Sequence, residues 1–228
     1  MSSLNGLTFE QKQAVEVLDK NLAVSAGAGS GKTRVLVKRF SRLLIDNLAN
    51  LDEILAITFT NKAAREMKDR IYSLAGENAD QIWIGTFHST CVRILRREID
   101  KIGYKRNFVI YDEADQLSLV KECLKELNFS EEYYKPKDIL TKISKLKNDL
   151  KSAQEYAREA QGLFREEQIA QLYTLYENKL KKNNALDFDD LLVKTLELFY
   201  LRPDVLAYYR NKFQYILVDE YQDTNEAQ

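Results

Sequence analysis

The sequence predicts an α/β fold: a parallel sheet flanked by helices, with an all-helical segment inserted into it. Three observations carry this. In the first half, short apolar runs alternate with amphipathic helical stretches, the pattern left by a parallel sheet covered with helices. From about Asp112 to Asn184 the strand signals vanish, and Lys, Glu, Leu and Tyr dominate several helical stretches. The alternation then resumes and closes on one more apolar run, Tyr215–Asp219.

Taken in order, strands are expected at Asn21–Ala26, Ile54–Phe59, Gln81–Thr86 and Phe108–Tyr111. Amphipathic helices are expected between them, at Lys32–Ile45, Asn61–Ala75 and Phe87–Ile102. Asn61 suits an N-cap, and Gly76 and Gly103 stand where helices should stop. Within the helical block, Lys135–Lys151 carries six lysines against two aspartates, which suits either a solvated face or a nucleic-acid contact. A helix near Phe188–Tyr200 precedes the last strand. Residues 1–111 and 185–228 therefore read as one α/β domain and 112–184 as its insertion. With only two prolines in 228 residues, long unbroken helices are expected.

The formal net charge of −1 lacks the basic signature of a protein that coats nucleic acid, but leaves room for a local groove. Cys91 and Cys123 lie far apart and His88 is the single histidine, which excludes a structural zinc site. Two unpaired-looking cysteines suit a reducing compartment. No targeting stretch opens the chain, and no apolar run approaches the ~18 residues of a membrane span. A soluble cytoplasmic protein without membrane contact is expected.

The expected strand Asn21–Ala26 runs into Ala26-Gly27-Ala28-Gly29-Ser30-Gly31-Lys32-Thr33 and then into a helix. Glycines let backbone N–H groups turn inward around phosphates, and the helix start adds the positive end of its dipole. Lys32 would reach the β- and γ-phosphates, and Thr33 would offer its hydroxyl to Mg²⁺. Ala26 stands where the general pattern has its first glycine. Near the other end, Tyr215-Ile216-Leu217-Val218 is an apolar strand delivering Asp219-Glu220 to the mouth of the sheet. Asp219 suits the Mg²⁺ shell, and Glu220 suits orienting or deprotonating an attacking water.

Asp219-Glu220-Tyr221-Gln222-Asp223-Thr224-Asn225 resembles motif II of superfamily 1 DNA helicases of the UvrD/Rep/PcrA type. The loop SAGAGSGKT is similar to that family too, which commonly carries alanine at the Ala26 position. Leu7–Val15 resembles its Q motif, Thr58–Met67 its motif Ia, and Gly85–Ser89 its motif Ib. Leu186–Leu192 resembles the segment that re-enters the first motor domain.

The resemblance implies a RecA-like P-loop NTPase domain with a helical insertion, ATP and Mg²⁺ as cofactors, and ATP-driven 3′ to 5′ movement on single-stranded DNA with unwinding at single-strand/duplex junctions. It implies that Gln11 reads adenine, although Thr8-x-x-Gln11 also reads as a capping box. It gives Gln222 the sensing of the γ-phosphate. Arg34 suits either the nucleotide or an exposed helix face. DNA contacts would come from Thr58, Phe59, Asn61, Lys62, Thr86, Phe87 and His88, with Phe59 suited to base stacking and, as the lesser alternative, to core packing.

The family continues beyond motif II into a second motor domain whose arginines complete the ATP site, groups worth ~10³–10⁵ in rate. This chain alone is therefore expected to bind nucleotide weakly and to hydrolyse it poorly or not at all. The strand leading to motif III is expected between Asn21–Ala26 and Tyr215–Asp219, leaving a slot that a second copy could fill by swapping or self-association. Two rival readings are a nucleotide- and DNA-binding module without motor activity and part of a helicase–nuclease subunit. A small P-loop kinase has no use for the additional motifs. Repair, replication restart and plasmid replication are all compatible with the motifs.

Overall fold

The computed structural model describes residues 5–75 and 82–228, so Gly76 and Gln81 lie outside it. The chain divides into two compact units, residues 1–90 with 206–224, and residues 91–205 with 225–228.

The first unit holds α1 (Phe9–Glu16), α2 (Lys32–Ile45), β1 (Ile54–Thr58), α3 (Asn61–Ala75), β2 (Trp83–Thr86) and β5 (Tyr215–Val218), with the start of α4 (Phe87–Glu98) and the end of α10 (Pro203–Lys212). The strands form one parallel sheet in the order β2-β1-β5. Central β1 is buried along its whole length, and a strand covered on both faces needs the unbroken apolar run Ile54-Leu55-Ala56-Ile57 rather than an alternating one. Leu36, Val37, Phe40 and Leu43 of α2 and Met67 and Ile71 of α3 close the core around Ile54, Ala56 and Ile84. On β2, Trp83 packs edge-on against Tyr209 and Phe213 at centroid distances of 6.2 and 5.0 Å.

Two expectations need correction here. Thr60, not Asn61, caps α3, since Ala63 N donates to Thr60 Oγ1 at 3.1 Å. Asn21–Ala26 forms no strand: its residues are exposed, Leu22 by 41% and Val24 by 44%. A strand exists only where a neighbour completes its ladder. Among the described residues none pairs with this stretch, and β5 pairs with β1 alone, leaving Ile216 60% exposed.

The second unit contains most of α4, a 3₁₀ turn at Ile99–Ile102, β3 (Val109–Ile110), α5 (Glu113–Glu126), α6 (Pro136–Asn148), α7 (Ala153–Glu159), α8 (Phe164–Lys182), β4 (Ala185–Leu186) and α9 (Asp190–Leu201). Gly103 ends the turn in the left-handed conformation, as expected. β3 and β4 pair in parallel, and every regular element between them is a helix. Asp112 and Ser152 start α5 and α7 with capping boxes. Leu124, Ile143, Leu172, Tyr176 and Leu180 lie at the centre of the helical core.

The lysine run 135–151 is more than a solvated face. Lys147 is fully buried, and its Nζ donates to Asp187 Oδ2 at 2.7 Å and Asp190 Oδ1 at 2.8 Å, with Glu177 Oε1 2.6 Å away. Tyr176 OH donates to the same Asp187 oxygen at 3.0 Å. Burial works against the charged ammonium, but the surrounding carboxylates overcome it and hold Lys147 well above the ordinary lysine pKa.

Candidate functional site

The three parallel strands end together. Thr58 of β1 aligns with Thr86 of β2, and Ile57 with Val218 of β5. Their carboxyl ends therefore deliver Phe59, Phe87 and Asp219-Glu220 to one edge of the sheet, the edge where ligands meet parallel sheets.

At that edge the phosphate loop and the acidic pair are brought together across 186 positions of sequence: Thr33 Oγ1 donates to Asp219 Oδ2 at 3.1 Å. Asp219 is buried and extends the ladder, its N donating to Ile57 O at 2.9 Å. Next to it, Lys32 Nζ stands 3.9 Å from Glu220 Oε1 and donates to Ala26 O at 3.1 Å and Gly27 O at 3.5 Å. The ammonium thus lies inside the curl of its own loop. Ala28 and Gly29 form the exposed tip, with a turn closed by Ser30 N donating to Gly27 O at 3.2 Å.

Gly31 precedes α2 at φ 88°, and a Cβ there would come within 2.9 Å of Gln11 Nε2. The positive φ favours glycine, since a side chain there would be strained. The contact reflects how closely α1 approaches the loop: Gln11 Nε2 donates to Ser30 O at 2.8 Å. The capping box of Thr8 and Gln11 is present as well, with the Gln11 amide serving the cap through its oxygen and the loop through its nitrogen. Arg34 is exposed and lies against Gly6, where a Cβ would meet its Nη2 at 2.7 Å.

Glu220 sits in the left-handed region at φ 49°, ψ 46°. For a non-glycine residue this costs on the order of 1–3 kcal/mol, and such strain gathers at functional positions. It turns the chain sharply after the buried Asp219, leaving the Glu220 side chain 41% exposed beside Lys32. Gln222 Nε2 donates to Glu220 Oε2, joining the expected γ-phosphate sensor to the expected water-orienting group. Thr33 and Asp219 together present hard oxygen donors, a pairing that fits Mg²⁺.

Along the same edge, Phe59 and Phe87 are half-buried and meet edge-to-face at 5.8 Å. Asn61 and Lys62 are exposed at the start of α3. Thr86 caps α4, accepting from Ser89 N at 3.2 Å, and His88 is half-buried in the first turn. Thr58 differs from the others. It is fully buried and its hydroxyl donates to Thr60 O at 3.1 Å, so it shapes the strand end from inside. Sequence reasoning missed Thr60, whose capping hydroxyl organises this turn.

The sequence model of the family described as UvrD/REP helicase N-terminal domain matches residues 7–228. The chain is 53% identical over 225 residues to the ATP-dependent DNA helicase PcrA of Bacillus subtilis (strain 168), covering 99% of this chain and 30% of that protein. It is 50% identical to the PcrA proteins of Staphylococcus aureus (strain Mu50) and Staphylococcus epidermidis, covering 99% of this chain and 31% of each of them. It spans less than a third of the length of these curated relatives. Matched over nearly its whole length, the chain belongs to the UvrD/REP helicase N-terminal domain family.

Proposed function

We propose that this chain binds ATP with Mg²⁺ and single-stranded DNA, as the first motor domain of an ATP-dependent DNA helicase that moves 3′ to 5′ and opens single-strand/duplex junctions. The observation that supports it most is the 3.1 Å bond from Thr33 to Asp219, which joins two distant motifs at the carboxyl end of a parallel sheet beside Lys32 and Glu220.

In this reading the residues from Ala26 to Thr33 wrap the phosphates, and Lys32 neutralises their charge. Thr33 and Asp219 would hold Mg²⁺, which would supply positive charge to offset that of the phosphates. Glu220 orients the attacking water, and Gln222, bonded to Glu220, reports whether the γ-phosphate is present. Gln11 reads adenine, and Arg34 lies beside the same segment. Phe59, Asn61, Lys62, Thr86, Phe87 and His88 form the DNA-facing edge, with Thr58 supporting it from beneath. The all-helical stretch 112–184 is the insertion, and its exposed Lys135, Lys137 and Lys145 suit phosphate contacts.

The unpaired side of β5 supports pairing with a further strand, from a second motor segment or from another copy. Free Cys91 and Cys123 are consistent with work in the cytoplasm. Among the described residues no helix is long and apolar enough to cross a membrane.

Equilibrium binding of Mg-ATP and of a fluorescent oligo(dT) strand to this chain tests the reading. Lys32→Ala should weaken nucleotide binding about 10- to 100-fold and spare oligo(dT), and Phe59→Ala should weaken oligo(dT) binding and spare nucleotide. Nucleotide binding that is indifferent to Lys32 would overturn it.

A further inference from the structure

The nucleotide-facing end of α1 is anchored from its opposite end. This helix has eight residues, fully buries only Val15, and carries Glu10 in its first turn but no basic residue in its last. So short a helix is marginal by itself, and its placement depends on what pins it. Leu7, Val15 and Val35 form one small apolar anchor.

The polar anchor comes from two turns into α2. Arg39 Nη1 donates to Ala14 O and, at 2.6 Å, to Val17 O. These carbonyls end α1, where acceptors lack partners within the helix and the dipole leaves partial negative charge. The missing basic residue of the last turn is thus supplied by the neighbouring helix. Burial and the nearby Arg42 lower the pKa of Arg39, the cost of placing a cation there.

Gln11, Ala14 and Val15 are three and four residues apart, so they share one face of α1. That face is held at one end by Arg39, and at the other Gln11 reaches Ser30 O over the phosphate loop. We infer that Arg39 is a positioning residue for adenine recognition: by clamping the carboxyl end of α1 to α2, it sets where Gln11 stands. The inference rests on Gln11 being the adenine contact.

The experiment compares binding of Mg-ADP and of inorganic tripolyphosphate to this chain by titration calorimetry. In Arg39→Met, ADP affinity should fall about tenfold, the worth of one lost charge-assisted hydrogen bond, while tripolyphosphate affinity stays within twofold. Gln11→Ala should show the same selective loss, and Lys32→Ala should lose both probes. Wild-type ADP affinity in Arg39→Met alongside impaired Gln11→Ala would overturn the inference while sparing the adenine reading. An equal fall for both probes in Arg39→Met would overturn it too, making Arg39 a support for the whole loop. An unaffected Gln11→Ala would remove the premise itself. Should Arg39→Met fail to fold, Arg39→Gln, which keeps a donor without the charge, carries the same comparison.

Discussion

Each unit of this molecule holds a lysine among carboxylates, and the two clusters are built for opposite ends. In the second unit Lys147 is 1% exposed, and Asp187, Asp190 and Glu177 surround its ammonium. Those three acids could by themselves hold a metal ion, but Lys147 occupies the place a cation would take. In the first unit Lys32 is 25% exposed and faces Glu220 at 3.9 Å, too far for a tight pair, with loop carbonyls as its other partners. One cluster is closed around its own ion pairs. The other is open, and its groups have capacity left for a ligand. Lysine near acid therefore says little by itself: burial and distance decide whether the pair closes on itself or stays open.

Removing each lysine should separate the two roles. The largest effect is expected from Lys147→Met, which strands three carboxylates and should cost about 3–5 kcal/mol of stability, read by urea unfolding. A loss under about 1 kcal/mol would mean the cluster is not the buried ionic network described.

A pH series sharpens the same point. Burial pushes Asp190 up to about 7; Lys147 pulls it down, and Asp187 and Glu177 push it up again. The folded state therefore keeps this proton to higher pH than the unfolded chain, whose carboxyl titrates near 3.8. Its contribution to stability is full below about pH 4 and is lost as pH rises through about 7. The urea midpoint should fall between pH 5 and 8, and Asp190→Asn should flatten that slope. An identical slope in the variant would assign it to other groups.

Lys32→Ala should leave stability within about 0.5 kcal/mol and weaken nucleotide binding about 10- to 100-fold, checked by parallel melting and titration. The smallest effect is expected from Lys142→Ala, in the same lysine run as Lys147. Lys142 makes a 3.4 Å pair with Glu166 and is 40% exposed, so its loss should cost under about 1 kcal/mol. A cost comparable to that of Lys147→Met would erase the distinction between solvated and enclosed lysines.

Periodicity made some elements legible almost to the residue. α2 and α3 span Lys32–Ile45 and Asn61–Ala75, where the amphipathic pattern alone puts them. The helix expected at Phe87–Ile102 is α4 followed by a 3₁₀ turn, and the strand expected at Tyr215–Asp219 stops at Val218. Asn21–Ala26 shows where such reading stops. Its composition is that of a strand, but a strand is a property of a pair, and composition does not reveal the partner. At the site, the motifs identified Lys32, Thr33, Asp219 and Glu220 as candidates, because phosphate and Mg²⁺ chemistry restricts residue type and spacing. Arg39 was invisible, since donating to two carbonyls leaves no pattern in the chain.

The sequence by itself determined the helices with a clear apolar stripe, the parallel α/β class, the helical block and the residue types of a phosphate loop and an acidic strand end. These follow from local periodicity and from chemistry carried by a few adjacent residues. Only the tertiary structure decided that Thr33 meets Asp219, that Thr58 faces inward, that Lys147 is enclosed while Lys142 is not, and that Arg39 ends α1. Those outcomes depend on which distant groups share a space, and so on burial and partner distance, neither of which is written in neighbouring residues.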